Sequence, residues 1–285
     1  MRAILVAALA ALPLSALALD FGSIINKTIE TTKKFQEANK EFSAEDEVQL
    51  GNGITAGVLG ASKLHADQNM QRYVNRVGKW VAMHSDRPDL PWSFGVIDTE
   101  TINAFAMPGG TVLISSGLLR RLGSESELAG ALAHEIAHVV KKHQLSAIQS
   151  TLNSDVWAGL GKEAAGQAIG RRGGDAFGLK SAAAGVGLDV VKNGVFLRPL
   201  DRGMEYEADR LGVVIAARSG YDPYGLVAVL QMLSQAKGDG GGAAIFDTHP
   251  AAADRIAELE KFMPRVVERL GSLPTLESRF RQNVK

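Results

Sequence analysis

Apolar residues recur at helical spacing along most of the chain. In the segment 65–84, Met70, Tyr73, Val74, Val77 and Val81 fall on one face of a helix and predict a buried stripe. Comparable patterns predict further helices over residues 23–41, 45–61, 203–219 and 223–237, and a closing helix over 249–262. The chain is therefore predicted to be mainly helical.

Three short segments depart from this pattern and are typical of strands. They cover residues 92–98, 103–107 and 111–115, and each is a short run of mostly apolar residues. The turn Pro108-Gly109-Gly110 joins the last two segments and predicts a hairpin between them. Together with the helices, these strands predict an α+β fold that is mainly α and contains a small β-sheet.

The beginning of the chain has its own pattern. Arg2 is followed by an apolar run from Ala3 to Leu19, and Ala16-Leu17-Ala18 matches an A-x-A cleavage sequence. This order is typical of a secretory signal peptide, which we place at residues 1–18. The alternative is a short membrane anchor, although 17 apolar residues interrupted by Pro13 are marginal for a span.

Composition excludes several classes of function. The chain has 31 basic and 31 acidic residues, so no net charge attracts nucleic acid. It has no cysteine, which excludes disulfides, a thiolate nucleophile and thiolate zinc ligands. After the signal peptide, no segment has the ~18 unbroken apolar residues of a membrane span. Export without cysteine favours a bacterial periplasm and a mature chain with no transmembrane span.

The mature chain is interpreted as an N-terminal helical segment over residues 19–44 and one domain over 45–285. Within that domain, residues 157–194 are rich in glycine and alanine, and we interpret them as a candidate flap. A run of glycines at 238–242 predicts a flexible loop before the closing helix.

A helix predicted from Glu125 to about residue 143 carries the sequence His134-Glu135-Ile136-Ala137-His138. It begins with a capping box at Ser124. His134 and His138 are four residues apart, so they lie about 40° apart on one helix face and both can reach one metal ion. Glu135 lies about 100° round, where it can accept a proton from a water on the metal. This is the HExxH pattern of zinc peptidases.

A catalytic zinc site needs a third protein ligand and one open position. His143 lies about 140° off the ligand face of a continuous helix, so we interpret it as a solvated residue at the helix end. Glu205 and Asp209 lie one turn apart, where Glu205 can bind zinc and Asp209 can accept a hydrogen bond from a ligand histidine. The alternative for this pair is a solvated acidic face. Glu163 is a competing ligand, but it has no carboxylate one turn later.

Four stretches together resemble a known family. They are NAFAMPGGTVLISSGLL, HEIAH, RGMEYEAD and DTHP, in this order along the chain. They are similar to the gluzincin metallopeptidases that include the CAAX prenyl-protein proteases, the HtpX heat-shock proteases and periplasmic relatives. The resemblance implies a zincin-like fold built on the HExxH helix, and one Zn²⁺ per chain. It also implies roles for six residues: His134, His138 and Glu205 as zinc ligands, Glu135 as the base, and Asp209 and Arg202 as residues supporting the ligands.

The resemblance extends to the substrate and to one more histidine. Asn103 and Ala104 resemble the edge strand of such peptidases, which can pair with an extended peptide. The alternative is an ordinary core strand. His249 follows the glycine loop, and the resemblance implies that it approaches the zinc. It would either donate to the oxyanion during catalysis or occupy the open zinc position in a latent state.

We expect an exported zinc metalloendopeptidase that hydrolyses peptide bonds of unfolded or misfolded envelope proteins. The substrates are expected to be unfolded outer-membrane or periplasmic polypeptides. The first alternative is an envelope chaperone or assembly factor with a latent zinc site. The second is a scaffold with a closed structural zinc site, against which Glu135 argues because such a site needs no base.

Overall fold

The computed structural model describes residues 42–152, 200–236, 249 and 252–284. The predicted signal peptide at 1–18, most of the helical segment at 19–44, the candidate flap at 157–194 and the loop at 238–242 lie outside these residues, as does Glu163. Among the described residues, no helix combines the length and the apolarity that are needed to span a membrane.

The described part of the chain contains nine helices and three strands. The helices are α1 (Ala44–Ala61), α2 (Gln68–Ala82), α3 (Ser116–Leu119), α4 (Glu125–Val140), α5 (His143–Leu152), α6 (Arg202–Arg218), α7 (Tyr224–Ala236), α8 (Ala252–Leu270) and α9 (Glu277–Val284). The strands are β1 (Ser93–Ile97), β2 (Ala104–Met107) and β3 (Thr111–Ser115). The predicted mainly helical α+β class with a small sheet is therefore confirmed. The helices α3, α5 and α9 were not predicted.

The sheet places β2 at one edge. The strand order is β1-β3-β2, with β1 parallel to β3 and β2 antiparallel to β3. The predicted hairpin is confirmed, because Ala104 pairs with Ile114 and Met107 pairs with Thr111. All four residues of β2 are buried, and helix α4 packs against this strand. The sheet thus forms one wall beside the helix that carries the two histidines.

Helix α4 lies at the centre of the molecule and contacts α2, α6 and α7. Glycines allow two of these contacts to be close. A Cβ atom at Gly130 would lie 2.6 Å from the backbone nitrogen of Leu226, and one at Gly212 would lie 3.0 Å from that of His134. Small residues at the crossings therefore bring the backbone of α6 and α7 directly onto α4.

The N-terminus of α4 is held by a buried carboxylate. Glu125 is 1% exposed. It accepts hydrogen bonds from the hydroxyls of Tyr73 and Tyr221, at 2.8 and 2.7 Å, and it forms an ion pair with Arg279 of α9. Burial, together with the hydrogen bond to Glu125, raises the pKa of each tyrosine. Helix α9 is thereby tied to the start of the histidine helix.

The other end of α4 differs from the prediction. The helix ends at Val140, and Lys142 has a φ of 57° in the left-handed region, after which α5 begins at His143. The ammonium of Lys142 lies 2.7 Å from the buried carboxylate of Glu47 on α1, which also pairs with Arg87 at 2.8 Å. The chain changes direction at this residue, so the expectation of one helix to residue 143 was wrong.

The close crossing at Gly130 generates a stability prediction. Gly130→Ala adds a methyl group against the backbone of α7, and we expect the free energy of unfolding to fall by about 1–3 kcal/mol. This loss should exceed the gain of ~1 kcal/mol in helix propensity. Urea unfolding followed by circular dichroism measures the change. Gln231→Ala, on the exposed face of α7, is the control and should stay within about 0.5 kcal/mol. An unchanged or more stable Gly130→Ala protein would contradict this packing.

Candidate metal centre

Helix α4 presents its two histidines to a common point. His134 and His138 are 5% and 0% exposed, and their Nε2 atoms lie 3.0 Å apart. The one-turn spacing read from the sequence therefore places both ring nitrogens together in the interior. Glu135 is also buried, at 4% exposure. The other residues of α4 are mostly apolar and belong to the core. The two histidines and Glu135 must therefore find their hydrogen-bond partners among one another or on the neighbouring helix.

Helix α6 brings a carboxylate to the same point. Glu205 is 0% exposed, and its Oε1 lies 3.4 Å from Nε2 of His138, while Oε2 lies 3.6 Å from Nε2 of His134. Ligands ~2.0–2.1 Å from a tetrahedral zinc are separated from one another by about 3.3 Å. The three spacings of this group scatter around that value, so the donor set fits a zinc ion in both chemistry and size.

His249 adds a fourth donor. His134, His138, Glu205 and His249 each offer one ligand atom, and these atoms lie within 4.8 Å of one another. Nδ1 of His249 lies 2.9 Å from both carboxylate oxygens of Glu205, and Nε2 lies 3.9 Å from Oε1 of Glu135. His249 therefore stands between the glutamate of the ligand group and the glutamate expected to act as base.

A buried arginine, which the sequence analysis missed, balances the carboxylates. Arg255 of α8 is 4% exposed and contacts Asp209 through two nitrogens, at 2.8 and 2.6 Å. Its Nη1 also lies 3.3 Å from Oε2 of Glu205. Asp209 in turn lies 3.0 Å from Nδ1 of His134. In the sequence, Arg255 is one of three arginines in an amphipathic helix, and arginines of such helices are normally exposed to solvent.

These contacts shift the pKa values within the group. Burial opposes the ionisation of Glu205, but His249 and Arg255 outweigh it and hold the pKa of this carboxyl well below its usual range. Burial likewise opposes a charge on Asp209, whereas Arg255 beside it lowers its pKa. Burial lowers the pKa of His138 well below that of a free histidine. These shifts favour an ionised Glu205 and a neutral His138, the states in which a carboxylate and an imidazole bind a metal.

The structure corrects the interpretation of His143. This residue is 3% exposed rather than solvated, and its Nδ1 lies 2.9 Å from Nδ1 of His138. The predicted angle of 140° assumed a continuous helix, whereas the turn at Lys142 starts a new helix and returns His143 to the back of His138. Like the prediction, the structure keeps His143 out of the candidate ligand group.

The structure does not bring Arg202 to this group. Its side chain is 73% exposed, and its nearest charged partner is Asp254 at 3.9 Å. The arginine that contacts Glu205 and Asp209 is Arg255 instead.

The edge-strand residues lie deeper than an open strand would. Asn103 and Ala104 are 0% and 5% exposed. Oδ1 of Asn103 accepts the backbone N–H of Ala104 at 2.8 Å, whereas its Nδ2 has no hydrogen-bond partner among the described residues. The pair adjoins the strand that packs on α4, and one buried amide donor remains available there.

Comparison with known proteins identifies the family. The profile of Peptidase family M48 matches residues 68–263, so the chain belongs to this family of metallopeptidases. The beta-barrel assembly-enhancing protease of Escherichia coli strain K12 is 31% identical over 225 residues, which cover 78% of this chain and 44% of that protein. The mitochondrial metalloendopeptidase OMA1 of Schizosaccharomyces pombe is 33% identical over 198 residues, covering 67% of this chain and 52% of that protein. The chain thus spans about half the length of these curated relatives.

The buried arginine generates the prediction for this site. Arg255→Met leaves the carboxylates of Asp209 and Glu205 buried without their cation, and we expect the free energy of unfolding to fall by about 3–5 kcal/mol. Urea unfolding of the protein with a chelator present measures this loss. Arg202→Met is the matched control, since that exposed side chain should change stability by less than about 0.5 kcal/mol. Equal effects of the two substitutions would refute the assignment of the charge balance to Arg255.

Proposed function

We propose that this protein is a zinc-dependent endopeptidase that binds one Zn²⁺ per chain through His134, His138 and Glu205. The observation that carries the proposal is the spacing of the three donors, 3.0, 3.4 and 3.6 Å, in a buried group beside Glu135. The family membership supports the same reaction class. A bound zinc would polarise the scissile carbonyl and make water more acidic, to a pKa of about 7.

Glu135 is proposed as the general base. Its carboxylate lies on the helix of the two histidines, one residue after the first, and so faces the rim of the donor group instead of joining it. It accepts the proton of the attacking water and passes it to the amide nitrogen that leaves. Asp209 supports this step indirectly, because it lies 3.0 Å from Nδ1 of His134 and holds that imidazole in place.

His249 has two proposed roles that its position supports equally. In the first, its ring donates a hydrogen bond to the oxyanion that forms on the substrate carbonyl. In the second, it is the fourth donor of the group and blocks the open position in a latent state. Its Nδ1 contact with Glu205 and the 3.9 Å between its Nε2 and Glu135 put it within reach of either role.

The substrates are proposed to be unfolded or misfolded polypeptides of the envelope. Backbone pairing with the edge strand that starts at Asn103 and Ala104 would select extended chains and would be largely indifferent to sequence. For this pairing, the N–H of Ala104 would exchange its contact with Oδ1 of Asn103 for a carbonyl of the peptide. Nδ2 of Asn103, which has no hydrogen-bond partner among the described residues, supports a contact to a peptide carbonyl. Export to the periplasm through a cleaved signal peptide at residues 1–18 agrees with the name of the Escherichia coli relative, which refers to the assembly of β-barrels.

A second candidate function is an envelope chaperone or assembly factor with a latent zinc site. The observation that favours it is the fourth buried donor, since four protein ligands would leave zinc no open position. The intact Glu135 beside the group favours the peptidase. The two functions differ in whether Glu135 is needed.

Glu135→Gln tests the proposed base. It keeps the size of the side chain but cannot accept a proton, so we expect cleavage of unfolded casein to fall about 10²–10⁴-fold. Bound zinc, measured by atomic absorption, should be unchanged. Glu260→Gln, an exposed glutamate of α8, is the control and should cleave as the wild type does. Equal zinc with no cleavage in any of the proteins would favour the latent function, and absence of zinc from all of them would refute the metal site.

His249→Ala separates the two roles of this histidine. If His249 donates to the oxyanion, we expect kcat for casein to fall about 10²–10³-fold with zinc content unchanged. If it blocks the open position, kcat should rise instead. His84→Ala, a histidine that packs on Trp80, is the control. An unchanged kcat for His249→Ala would contradict both roles.

A further inference from the structure

Both ring nitrogens of His138 are engaged in the interior. Nε2 faces the candidate metal position, 3.0 Å from His134 and 3.4 Å from Glu205. Nδ1 faces away from it and lies 2.9 Å from Nδ1 of His143. The two rings are 0% and 3% exposed. The hydrogen-bond partner of Nδ1 of His138 is therefore His143 and not bulk water.

The direction of each hydrogen bond follows from the chemistry of imidazole. A neutral histidine that binds a metal through Nε2 carries its proton on Nδ1. His138 then donates from Nδ1, so Nδ1 of His143 must accept and His143 must carry its own proton on Nε2. That Nε2 lies 3.4 Å from Oε2 of Glu207, and an ionised carboxylate can only accept. At both contacts, from His138 to His143 and from His143 to Glu207, a hydrogen-bond donor therefore faces an acceptor.

The outer end of this chain of contacts is fixed by charge. Glu207 is 44% exposed and lies 2.7 Å from the ammonium of Lys141, which follows directly after α4. Glu207 stands on α6 between Glu205 and Asp209, and the other two residues serve the candidate metal site directly. One helix therefore supplies the third ligand, the partner of His134, and the end of the contacts behind His138.

We propose that His143 and Glu207 form a hydrogen-bonded relay that holds His138 in the tautomer able to bind zinc through Nε2. This inference rests on the proposed function, because it concerns the same metal. His143 and Glu207 are positioning residues, since neither joins the ligand group. The partner of Nδ1 of His134 is the carboxylate of Asp209. The partner of Nδ1 of His138 is the neutral imidazole of His143, which in turn contacts the carboxylate of Glu207. Loss of such a partner typically weakens metal affinity about 10–100-fold.

Zinc affinity of the purified protein tests the relay. The Glu135→Gln protein serves as the parent, so that proteolysis does not interfere, and zinc dissociation constants are measured by competition with a chromophoric chelator. His143→Phe fills the space without an acceptor and should weaken zinc binding about 10–100-fold. His143→Asn keeps an acceptor near the position of Nδ1 and should restore most of the affinity. Glu207→Ala should give a smaller loss, and Glu258→Ala, on α8, should give none.

A second readout follows the proton itself. In the zinc-loaded parent, ¹⁵N-resolved NMR of the histidine rings should show His138 protonated at Nδ1 and His143 protonated at Nε2. His143→Phe should shift the His138 Nδ1–H signal, and His143→Asn should largely restore it. Thermal melting of the zinc-free proteins reports folding separately.

The outcomes are distinct. Equal zinc affinity of the parent and His143→Phe, or a proton on Nδ1 of His143, would overturn the relay and leave the proposed function intact. A loss of melting temperature in His143→Phe with unchanged zinc affinity would show a purely structural residue and also overturn it. Absence of zinc binding in the parent would overturn the proposed function and the relay together.

Discussion

Two carboxylates, Glu205 and Asp209, lie one helical turn apart with almost no exposure to water, and the arrangement of the site depends on their burial. A buried carboxylate without a counter-charge would be strongly destabilising or would take up a proton. Arg255 supplies the fixed positive charge. His134 and His138 of α4 supply ring nitrogens that lie within 3.6 Å of the two carboxylates. In a protein that binds a divalent metal here, the metal would add the remaining positive charge, so metal binding and the stability of this core should be coupled.

The scaffold serves to bring these charges together. Helix α4 runs through the core, and the glycines at its crossings with α6 and α7 let backbone approach backbone where a methyl group would not fit. At the start of α4, Glu125 contacts Tyr73 of α2, Tyr221 in the turn before α7 and Arg279 of α9. Just after its end, Lys142 contacts Glu47 of α1. With both ends held, the two histidines have little freedom to move away from Glu205.

The site is built in layers that differ in chemistry. Nε2 of His134, Nε2 of His138 and the carboxylate of Glu205 are directed at one point. On the far side of each ring, Nδ1 of His134 contacts Asp209 and Nδ1 of His138 contacts His143. Such rear contacts set the orientation and the tautomer of a ligand imidazole. His249 is different, since its Nδ1 contacts Glu205 itself and its Nε2 lies 3.9 Å from Oε1 of Glu135. The proposed difference between an open catalytic centre and a latent one rests on this one side chain.

The sequence by itself determined the local features. The HExxH spacing placed His134 and His138 on one face, because the period of an α-helix is fixed by its backbone hydrogen bonds. The pairing of Glu205 with Asp209 followed from the same period. The apolar patterns located most of the helices and all three strands, because burial of one face imposes its own spacing.

The tertiary structure alone decided which distant residues complete the site. Nothing local distinguished Arg255 from a surface arginine, and Arg202, nearer in sequence to the ligand, points to solvent. His143 was misplaced because its position depends on the backbone turn at Lys142, which a helical period cannot show. Contacts across about 50–120 residues depend on how helices cross, and that is set by packing of the whole core.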